Sequence, residues 1–385
     1  MKNRPPCSEG QCGGASVKVS AASANLLISA RESGAWSYTQ RQPMKKTKHL
    51  FAKRRGFGEA GVLGRIEEVA GRPRPRSSCL RLGIGDDAAL FKGTTGFDQI
   101  LTSDWFLEGS HFLRDKHPAD AVGWKCLARA ISDVAAMGGA PRCFLLSLAL
   151  PASHTGLWLD EFLKGLHRAA QRFGCELAGG DTTRRQDILI NVTVVGEVRT
   201  DRAVLRSGAR PGDVLFVSGL LGEADLGLRR IRKGKRLANS HDPVLRKHLY
   251  PEPRLALGRW LAEKHLVSAM MDLSDGLSTD LPRLCAASGV GARIEAWKLP
   301  AVRAPKTGHV GEAALLDLAL RGGDDYELLF TVPAGRLKRI PRSQNGTPIT
   351  AIGKITKERT LLLVDEAGRE LPLPNLGWDP FRNPR

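Results

Sequence analysis

Aspartate recurs in this 385-residue sequence where a chain usually turns between elements. Five short segments carry acids at the end of a predicted strand or the start of a predicted helix: Asp86–Asp87, Asp104, Asp181, Asp272 with Asp275, and Asp324–Asp325. A further acid, Asp133, lies inside a predicted helix among Ala and Val. Carboxylates at strand ends converge on one rim of a sheet and repel each other unless cations intervene. The pattern therefore predicts a Mg²⁺ site, because Mg²⁺ bridges carboxylates to substrate phosphates.

Each acid taken alone has a simpler interpretation. A single Gly-Asp is usually a turn or a helix N-cap, and Asp133 could be a buried acid paired with Arg129 one helical turn back. Familiar nucleotide motifs do not occur in the sequence: it has no Walker A loop, no dinucleotide-binding glycine fingerprint and no protein-kinase motif set. Any use of ATP therefore has to come from a less common fold.

Alternating short strands and helices must position these acids. Apolar residues recur every three to four positions between Ala119 and Val134, which predicts a helix from Pro118 to Met137 that ends at two glycines. Further helices are predicted over 157–173, 222–230 and 275–287, and strands over 99–104, 142–150, 176–178, 188–198, 214–218, 267–272, 291–296, 326–332 and 349–355. A basic, polar connector is predicted after 230, up to about Tyr250. With 42 Gly and 22 Pro, the alternation predicts an α/β or α+β fold.

The length favours two domains, which we predict over 58–203 and 204–385. Residues 1–57 differ from the rest: they contain 11 Lys or Arg and 2 acids, without a sustained apolar period. This composition predicts a basic, disordered extension. A basic run opens at Met44, which raises the hypothesis that translation starts there; an intact mass covering all 385 residues would contradict it.

The formal charge of +18 suits anionic substrates and also nucleic acid. The seven cysteines contain no C-x-x-C pair, so we expect free thiols in a reducing compartment. The longest apolar run, 143–150, is far shorter than the roughly 20 residues that a membrane crossing needs. We therefore predict a cytoplasmic protein without a membrane segment.

Eight motifs in order resemble one family, the thiamine-monophosphate kinases: Gly83–Ala89, Thr102–Phe112, Ile131–Gly138, Gly179–Arg184, Arg206–Asp213, Met271–Leu277, Gly322–Leu328 and Gly377–Phe381. The resemblance covers about residues 58 to 381. It implies the fold of aminoimidazole ribonucleotide synthetase and selenophosphate synthetase, with an N-terminal α/β domain that dimerises through its sheet and a C-terminal α/β domain. It also implies that ATP and thiamine monophosphate give ADP and thiamine diphosphate, the last step of thiamine diphosphate synthesis, with several Mg²⁺ ions and a homodimer.

The resemblance implies three sets of site residues. The metal ligands would be Asp87, Thr102, Ser103, Asp104, Asp133, Asp181, Asp272 and Asp275, of which Asp87, Asp133 and Asp275 are the catalytic candidates. Contacts to ATP would include Gly180, Asp181, Arg206 and Ser274, and contacts to thiamine monophosphate His111, Asp324 and Trp378. Two of these depart from the family pattern: Asp324 replaces a Glu, and Trp378 replaces a frequent Tyr. The shorter Asp324 carboxylate puts its reach to the substrate in question.

Two other functions remain open at this point. The first is another ATP-using enzyme of the same fold, although the glycine-rich loop with a reactive cysteine expected of a selenophosphate synthetase is not recognised; Cys7 and Cys12 lie outside the matching region. The second is a nucleic-acid-binding protein that reuses the fold, motivated by the charge alone, since no aromatic-basic stripe accompanies it.

Overall fold

A computed structural model of the chain describes residues 59–70, 80–82, 90–234, 242–302, 311–374 and 377–378. These residues all belong to one structural unit, Ala52–Arg385. The α-helices are α1 (Glu59–Ala70), α2 (Ala119–Ala136), α3 (Leu157–Phe173), α4 (Glu223–Arg232), α5 (Pro243–Leu249), α6 (Leu255–Glu263), α7 (Leu277–Ser288) and α8 (Glu312–Arg321). The strands are β1 (Leu80–Leu82), β2 (Leu90–Phe91), β3 (Phe97–Leu107), β4 (Ala140–Leu150), β5 (Glu176–Arg184), β6 (Leu189–Arg199), β7 (Val214–Ser218), β8 (Ala269–Leu273), β9 (Gly291–Glu295), β10 (Glu327–Val332), β11 (Ser343–Gln344), β12 (Thr347–Thr356), β13 (Leu361–Val364) and β14 (Glu370–Pro372). The candidate Asp87 and the predicted extension 1–57 lie outside the described residues.

A four-stranded sheet in the order β3-β6-β4-β5 carries the first half of the chain. Strand β6 alternates over 189–195: Ile190, Val192 and Val194 are fully buried, whereas the residues between them are partly exposed. The buried face packs against α2 and α3, which lie on one side of the sheet. Among the described residues, Phe91 packs on part of the other face, against Cys143, Ala178 and Val195, whereas Leu101, Trp105 and Leu145 on that face are exposed; we call it the open face. This alternation follows from the two-residue period of a strand that is covered on one side.

Two glycines allow α2 and α3 to cross closely. A Cβ atom at Gly123 would lie 2.0 Å from the Phe162 carbonyl oxygen, and one at Gly165 would lie 1.8 Å from the Asp120 carbonyl oxygen. Both distances are far below van der Waals contact, so any side chain at either position would push the two helices apart. The crossing distance is thus set by the absence of two side chains.

We predict that Gly123→Ala lowers the free energy of unfolding by about 1–3 kcal/mol, the usual cost of overpacking a core. Gly64→Ala is the matched control, because a Cβ at Gly64 in α1 would meet nothing within 4 Å. Alanine favours a helix over glycine, so the control should gain up to about 1 kcal/mol. Denaturant unfolding of both variants measures the difference, and equal stability of the two would contradict the packing argument.

A larger mixed sheet carries the second half, in the order β14-β13-β9-β12-β7-β10-β8, with β11 paired to β12. Every residue of β8 and β10 is buried, because α7 and α8 cover one face and α6 covers the other. Such strands read as continuous apolar runs rather than as alternating patterns. The loops that follow β8 and precede β10 carry the predicted acids Asp275 and Asp324.

The predicted mixture of strands and helices is confirmed, and most predicted elements occur within a few residues of their expected ends. The connector predicted up to Tyr250 was wrong in its second part, because α5 occupies Pro243–Leu249. The helices α6 and α8 were not predicted. The boundary placed between 203 and 204 falls between β6 and β7 and stays a prediction. Across the described ranges, no helix has both the length and the apolar character that a membrane crossing requires.

Candidate active site

Helix α2 brings acids from both halves of the chain together. The Thr102 hydroxyl on β3 donates a hydrogen bond to Asp133 of α2. The preceding residue, Ser132, donates from Oγ to Asp272 Oδ2 at the end of β8, over 2.8 Å. Consecutive residues of one helix thus contact an edge strand of each sheet, β3 and β8. Four of the predicted metal ligands, Thr102, Asp133, Asp272 and the neighbouring Asp104, therefore lie in one region.

These acids perturb each other's ionisation. Burial and, after it, the nearby charge of Asp133 raise the pKa of Asp272 to about 8. Burial also raises the pKa of Asp104, with Arg129 opposing the shift and Asp133 and Asp275 adding to it. Buried carboxyl groups that repel each other favour a bound cation at this position. The region thus has the electrostatic character expected of a cation site.

The interpretation of Asp133 as an acid paired with Arg129 was wrong. Arg129 instead contacts Asp104, with its Nε atom 3.5 Å from Oδ1. Asp133 accepts its hydrogen bond from Thr102. Residues one turn apart on a helix can pair, but Arg129 turns toward the strand that α2 packs on. Asp133 is therefore not neutralised by an arginine of its own helix, and it belongs with Asp104 and Asp272 to what we call the acidic region.

The loop that carries Ser274 and Asp275 is held by an acid that the sequence analysis did not identify. Asp280, fully buried in the first turn of α7, accepts hydrogen bonds from the backbone N–H groups of Ser274 (3.1 Å) and Asp275 (3.0 Å). Burial and the charge of Asp275 raise the pKa of Asp280 to about 7. Arg283 contacts both carboxylates, at 2.6 Å from Asp275 and 2.8 Å from Asp280. The sequence feature that could have identified Asp280 is its position as an acid near the start of a predicted helix, where carboxylates bind free backbone N–H groups.

A cavity of about 320 Å³ lies beside this loop. Five of the predicted site residues line it: His111, Ser274, Asp275, Asp324 and Trp378. They come from four motifs spread over more than 260 positions of the sequence. The three residues assigned to thiamine monophosphate by resemblance are all among them. The fold thus brings together, in one cavity, three residues that the sequence could only predict separately as substrate contacts.

His111 enters the cavity as a neutral ring. Its Nδ1 atom accepts a hydrogen bond from the backbone N–H of Leu107 (2.9 Å), and the ring stacks on Phe106 with centroids 5.7 Å apart. Burial, followed by the positive charge of Arg129, lowers the pKa of His111 to about 4. Because Nδ1 is an acceptor, the proton of the neutral ring lies on Nε2. His111 is therefore a hydrogen-bond donor near neutral pH.

Four arginines of the cavity wall were not predicted from the sequence as site residues. They are Arg129 of α2, Arg229 and Arg232 of α4, and Arg321 at the end of α8. Arg229 and Arg321 contact Asp317, which reduces but does not remove their charge. Guanidinium groups bind phosphates well, so this wall suits an anionic ligand. The basic last turn of α4 was visible in the sequence, but nothing there indicated that it faces His111.

Four predicted residues lie away from both this cavity and the acidic region. Asp181 lies on β5, three strands from β3. The sheet register pairs it with Ser147, which pairs with Asn191, which in turn pairs with Trp105. Asp181 therefore lies on the open sheet face, in the same row as Trp105. Its neighbour Gly180 has φ +153°, and a Cβ there would lie 1.8 Å from the Leu146 carbonyl oxygen, so only glycine fits. Arg206 is exposed in the loop before β7.

Ser103 is the fourth of these residues. Its hydroxyl lies on the open sheet face, 3.0 Å from Thr193 Oγ1, and so points away from Asp133. Any ligand atom from Ser103 toward the acidic region would have to be its carbonyl oxygen. Among the residues that the structure describes, no three His, Cys, Asp or Glu side chains are grouped closely enough to hold a metal ion by themselves. The metal and ATP assignments stay predictions.

Comparison with known proteins identifies the class and then the family. The chain matches the AIR synthase related protein N-terminal domain over residues 85–198 and the C-terminal domain over 210–365. It is 38% identical over 318 residues to the thiamine-monophosphate kinase of Escherichia coli (strain K12), covering 81% of this chain and 96% of that protein. The crystal structure of the enzyme from Stenotrophomonas maltophilia K279a superposes with a TM-score of 0.70 at 34% identity, covering 79% of this chain and 96% of the other. AaThiL complexed with AMPPCP and TMP superposes with a TM-score of 0.65 at 32% identity, covering 87% and 100%.

The two domains place the chain in the AIR synthase related class, which confirms the predicted fold. The chain belongs to the thiamine-monophosphate kinase family, as its motifs indicated. The two alternatives left open by the sequence, a synthetase of the same fold and a nucleic-acid-binding protein, are not favoured by these relatives.

Proposed function

We propose that this chain transfers the γ-phosphoryl group of ATP to thiamine monophosphate, giving thiamine diphosphate and ADP. The observation that carries the proposal is the single cavity lined by His111, Asp324 and Trp378 together with the Ser274–Asp275 loop. The Trp378 side chain is 42% exposed, so a ring face is open to stack on a cationic thiazolium or an aminopyrimidine. The arginines of the cavity wall suit the phosphate end of the same substrate.

The chain's own side chains supply binding and orientation. The neutral His111 ring donates from Nε2, while the Asp324 carboxylate, whose pKa is held well below its usual range by Lys125, attracts the substrate's positive charge. The nucleophile is an oxygen of the substrate's own phosphate, so no covalent enzyme intermediate is required. In-line positioning and charge neutralisation provide most of the rate in such transfers.

The acidic region fits the Mg²⁺ expected for this reaction. One or two of Asp104, Asp133, Asp272 and Asp275 would hold each ion, with Asp87 added by its motif, because burial and the charge of neighbouring carboxylates raise the pKa of Asp104 and Asp272. Bound Mg²⁺ neutralises phosphate charge and orients the reacting oxygens. Mg²⁺ commonly takes only one or two carboxylates together with water and phosphates.

The direct test uses the purified full-length chain with ATP, MgCl₂ and thiamine monophosphate. We expect thiamine diphosphate and ADP in equal amounts by chromatography, and loss of both products when EDTA removes the metal. Thiamine without its phosphate serves as the control acceptor and should give no diphosphate. ATP hydrolysis without thiamine diphosphate would overturn the proposal.

We further propose that the partner is a second copy of this chain, seated on the open face of the four-stranded sheet. Leu101, Trp105 and Leu145 are 72%, 56% and 40% exposed on this face, an unusual concentration of large apolar side chains. Asp181 lies on the same face and on the same row as Trp105. Pairing of two such faces would cover the apolar side chains and bring the Asp181 row to the interface.

Trp105→Glu should therefore convert a homodimer into a monomer, because it places a charge among the exposed apolar side chains of this face. Leu157→Glu is the control: Leu157 is 76% exposed but begins α3 on the covered side of the sheet. Light scattering after gel filtration measures both masses. A wild-type monomer, or a Trp105→Glu dimer, would contradict the assignment of this face.

A cytoplasmic location and the two-domain division at 203/204 are part of the same proposal. The buried free thiols of Cys126 and Cys285 support a reducing compartment. The gap between the two matched domain models, at residues 199–209, supports the division.

A further inference from the structure

A buried polar chain joins α2 to the loop that carries Asp324. Lys125 is only 1% exposed, and its Nζ atom lies 2.8 Å from Asp324 Oδ2. The same Nζ lies 3.3 Å from Nδ1 of His248 on α5, whose Nε2 lies 3.0 Å from Nε2 of His117. His248 is fully buried and His117 nearly so. Lys125 and Asp324 are 199 positions apart, so the contact exists only in the folded chain.

Of the side chains in this buried hydrogen-bonded series, Asp324 is the one that carries a negative charge, so it is the counter-ion of Lys125. Burial and the positive charge of Lys125 lower the pKa of both histidines, which keeps them neutral near pH 7. The carboxylate stays ionised beside Lys125. A buried ammonium group is stable only when paired and hydrogen-bonded. The position of Lys125 therefore determines where the Asp324 carboxylate can lie.

The loop itself is held in an uncommon backbone conformation. Asp324 has φ +66° and Tyr326 has φ +50°, both in the left-handed region that non-glycine residues rarely adopt. The Tyr326 hydroxyl donates to Asp324 Oδ1 over 2.9 Å, so each carboxylate oxygen has its own donor. Between them, Asp325 accepts from the backbone N–H groups of Gly222 (2.6 Å) and Ala224 (3.0 Å) at the start of α4. Such conformations persist only when the surroundings determine them fully.

The Asp324 side chain is nevertheless 25% exposed and lines the cavity. Lys125 reaches it from behind and is not part of the cavity wall. We propose that Lys125 is a positioning residue for substrate recognition: by binding one oxygen of Asp324 from the buried side, it presents this carboxylate to the cationic part of thiamine monophosphate. The proposal rests on the proposed function and adds a residue that acts through Asp324 rather than by touching the substrate.

The test replaces Lys125 by methionine, which keeps the length of the side chain and removes the charge. We expect KM for thiamine monophosphate to rise about 10- to 100-fold, the equivalent of one lost charge-assisted hydrogen bond. The values of kcat and of KM for ATP should stay within about threefold, because the positioned group binds one substrate only. A merely structural lysine would not separate the two KM values.

Lys247→Met is the matched control. Lys247 is also a largely buried lysine, but it pairs with Glu327, which does not line the cavity. This variant should lose stability without a selective change in KM for thiamine monophosphate. If Lys125→Met behaves like Lys247→Met, with reduced stability and KM for thiamine monophosphate within twofold of wild type, the positioning role is overturned.

A double-mutant cycle with Asp324→Asn shows whether Lys125 acts through Asp324. The combined variant should have the KM of Asp324→Asn alone, since the two changes remove one interaction; additive effects would contradict the proposal. If Lys125→Met does not fold, Tyr326→Phe takes its place, because it removes the second donor to Asp324 without altering the packed ring, and an unchanged KM would then overturn the idea. A wild-type chain that forms no thiamine diphosphate would instead overturn the proposed function, and this inference with it.

Discussion

Asp275→Asn should reduce turnover at least about 100- to 1000-fold while leaving the fold intact, the range seen when one preorganised electrostatic group is removed from an active site. Asp275 lines the cavity, and its charge raises the pKa of both Asp104 and Asp280. It is thus within electrostatic reach of the acidic region and of the proposed substrate. Asparagine keeps the shape of the side chain and removes only the charge.

The fold should survive because the loop is held by its backbone. Asp280 binds the N–H groups of Ser274 and Asp275, and the Asp275 carbonyl oxygen accepts from the Trp378 N–H over 3.0 Å. These contacts do not use the Asp275 carboxylate. Arg283, half-exposed, retains Asp280 as a partner. The melting temperature of the variant should therefore stay close to that of wild type.

Steady-state kinetics and a thermal melt on the same preparation measure both effects. Asp365→Asn is the control, because Asp365 lies in the turn between β13 and β14 and its carboxylate binds Arg369 and the Ala367 backbone of the same turn. The sequence motif alone predicts a similar loss for Asp87→Asn. Near-normal activity of both Asp275→Asn and Asp87→Asn would discard the metal assignment.

The second large effect is on stability. Glu327→Gln should lower the free energy of unfolding by about 3–5 kcal/mol, the usual cost of breaking a buried ion pair. Glu327 is fully buried at the start of β10, where Arg254 Nε donates to it over 2.6 Å and Lys247 and Ser218 also donate. Glutamine would leave two largely buried cations, Lys247 and Arg254, without this counter-charge. These cations hold α5 and the start of α6 against the sheet.

The pH dependence provides a second readout. The two cations lower the pKa of Glu327 to about 2, against about 4.5 in the unfolded chain. Because the folded-state pKa is the lower one, this stabilisation is complete above about pH 4.5 and is lost as the pH falls toward 2. The difference in stability between wild type and Glu327→Gln should shrink over the same interval.

Glu370→Gln is the control for this prediction. Glu370 forms an ion pair of 2.5 Å with Arg293, but both side chains are more than a third exposed. Exposed pairs contribute only about 0–1 kcal/mol. Denaturant unfolding should therefore separate the two variants clearly, and equal losses would show that the buried cluster does not stabilise the fold in the way proposed.

The sequence by itself determined the helices and strands whose apolar pattern is set by residues close together in the chain. The apolar period of α2 and the alternation of β6 are local, because each follows from the geometry of one element packed on one face. The order of the aspartate motifs was sufficient to identify the family. Short helices were harder to predict from the sequence. Helix α5 has an Asp242 N-cap and Pro243 at its first position, but it contains only seven residues. A helix of this length is stabilised by burial of its apolar side chains rather than by helix propensity.

Only the tertiary structure decided which of the named residues meet. In the folded chain, Asp181 lies far from Asp133, and the Ser103 hydroxyl lies on the open face of the sheet. Arg129 pairs with Asp104, and Lys125 pairs with Asp324. None of these partners can be derived from spacing, because each depends on how elements that are distant in sequence pack on one another. Periodicity is encoded in consecutive residues, whereas the composition of an active site is set by the packing of whole sheets and helices.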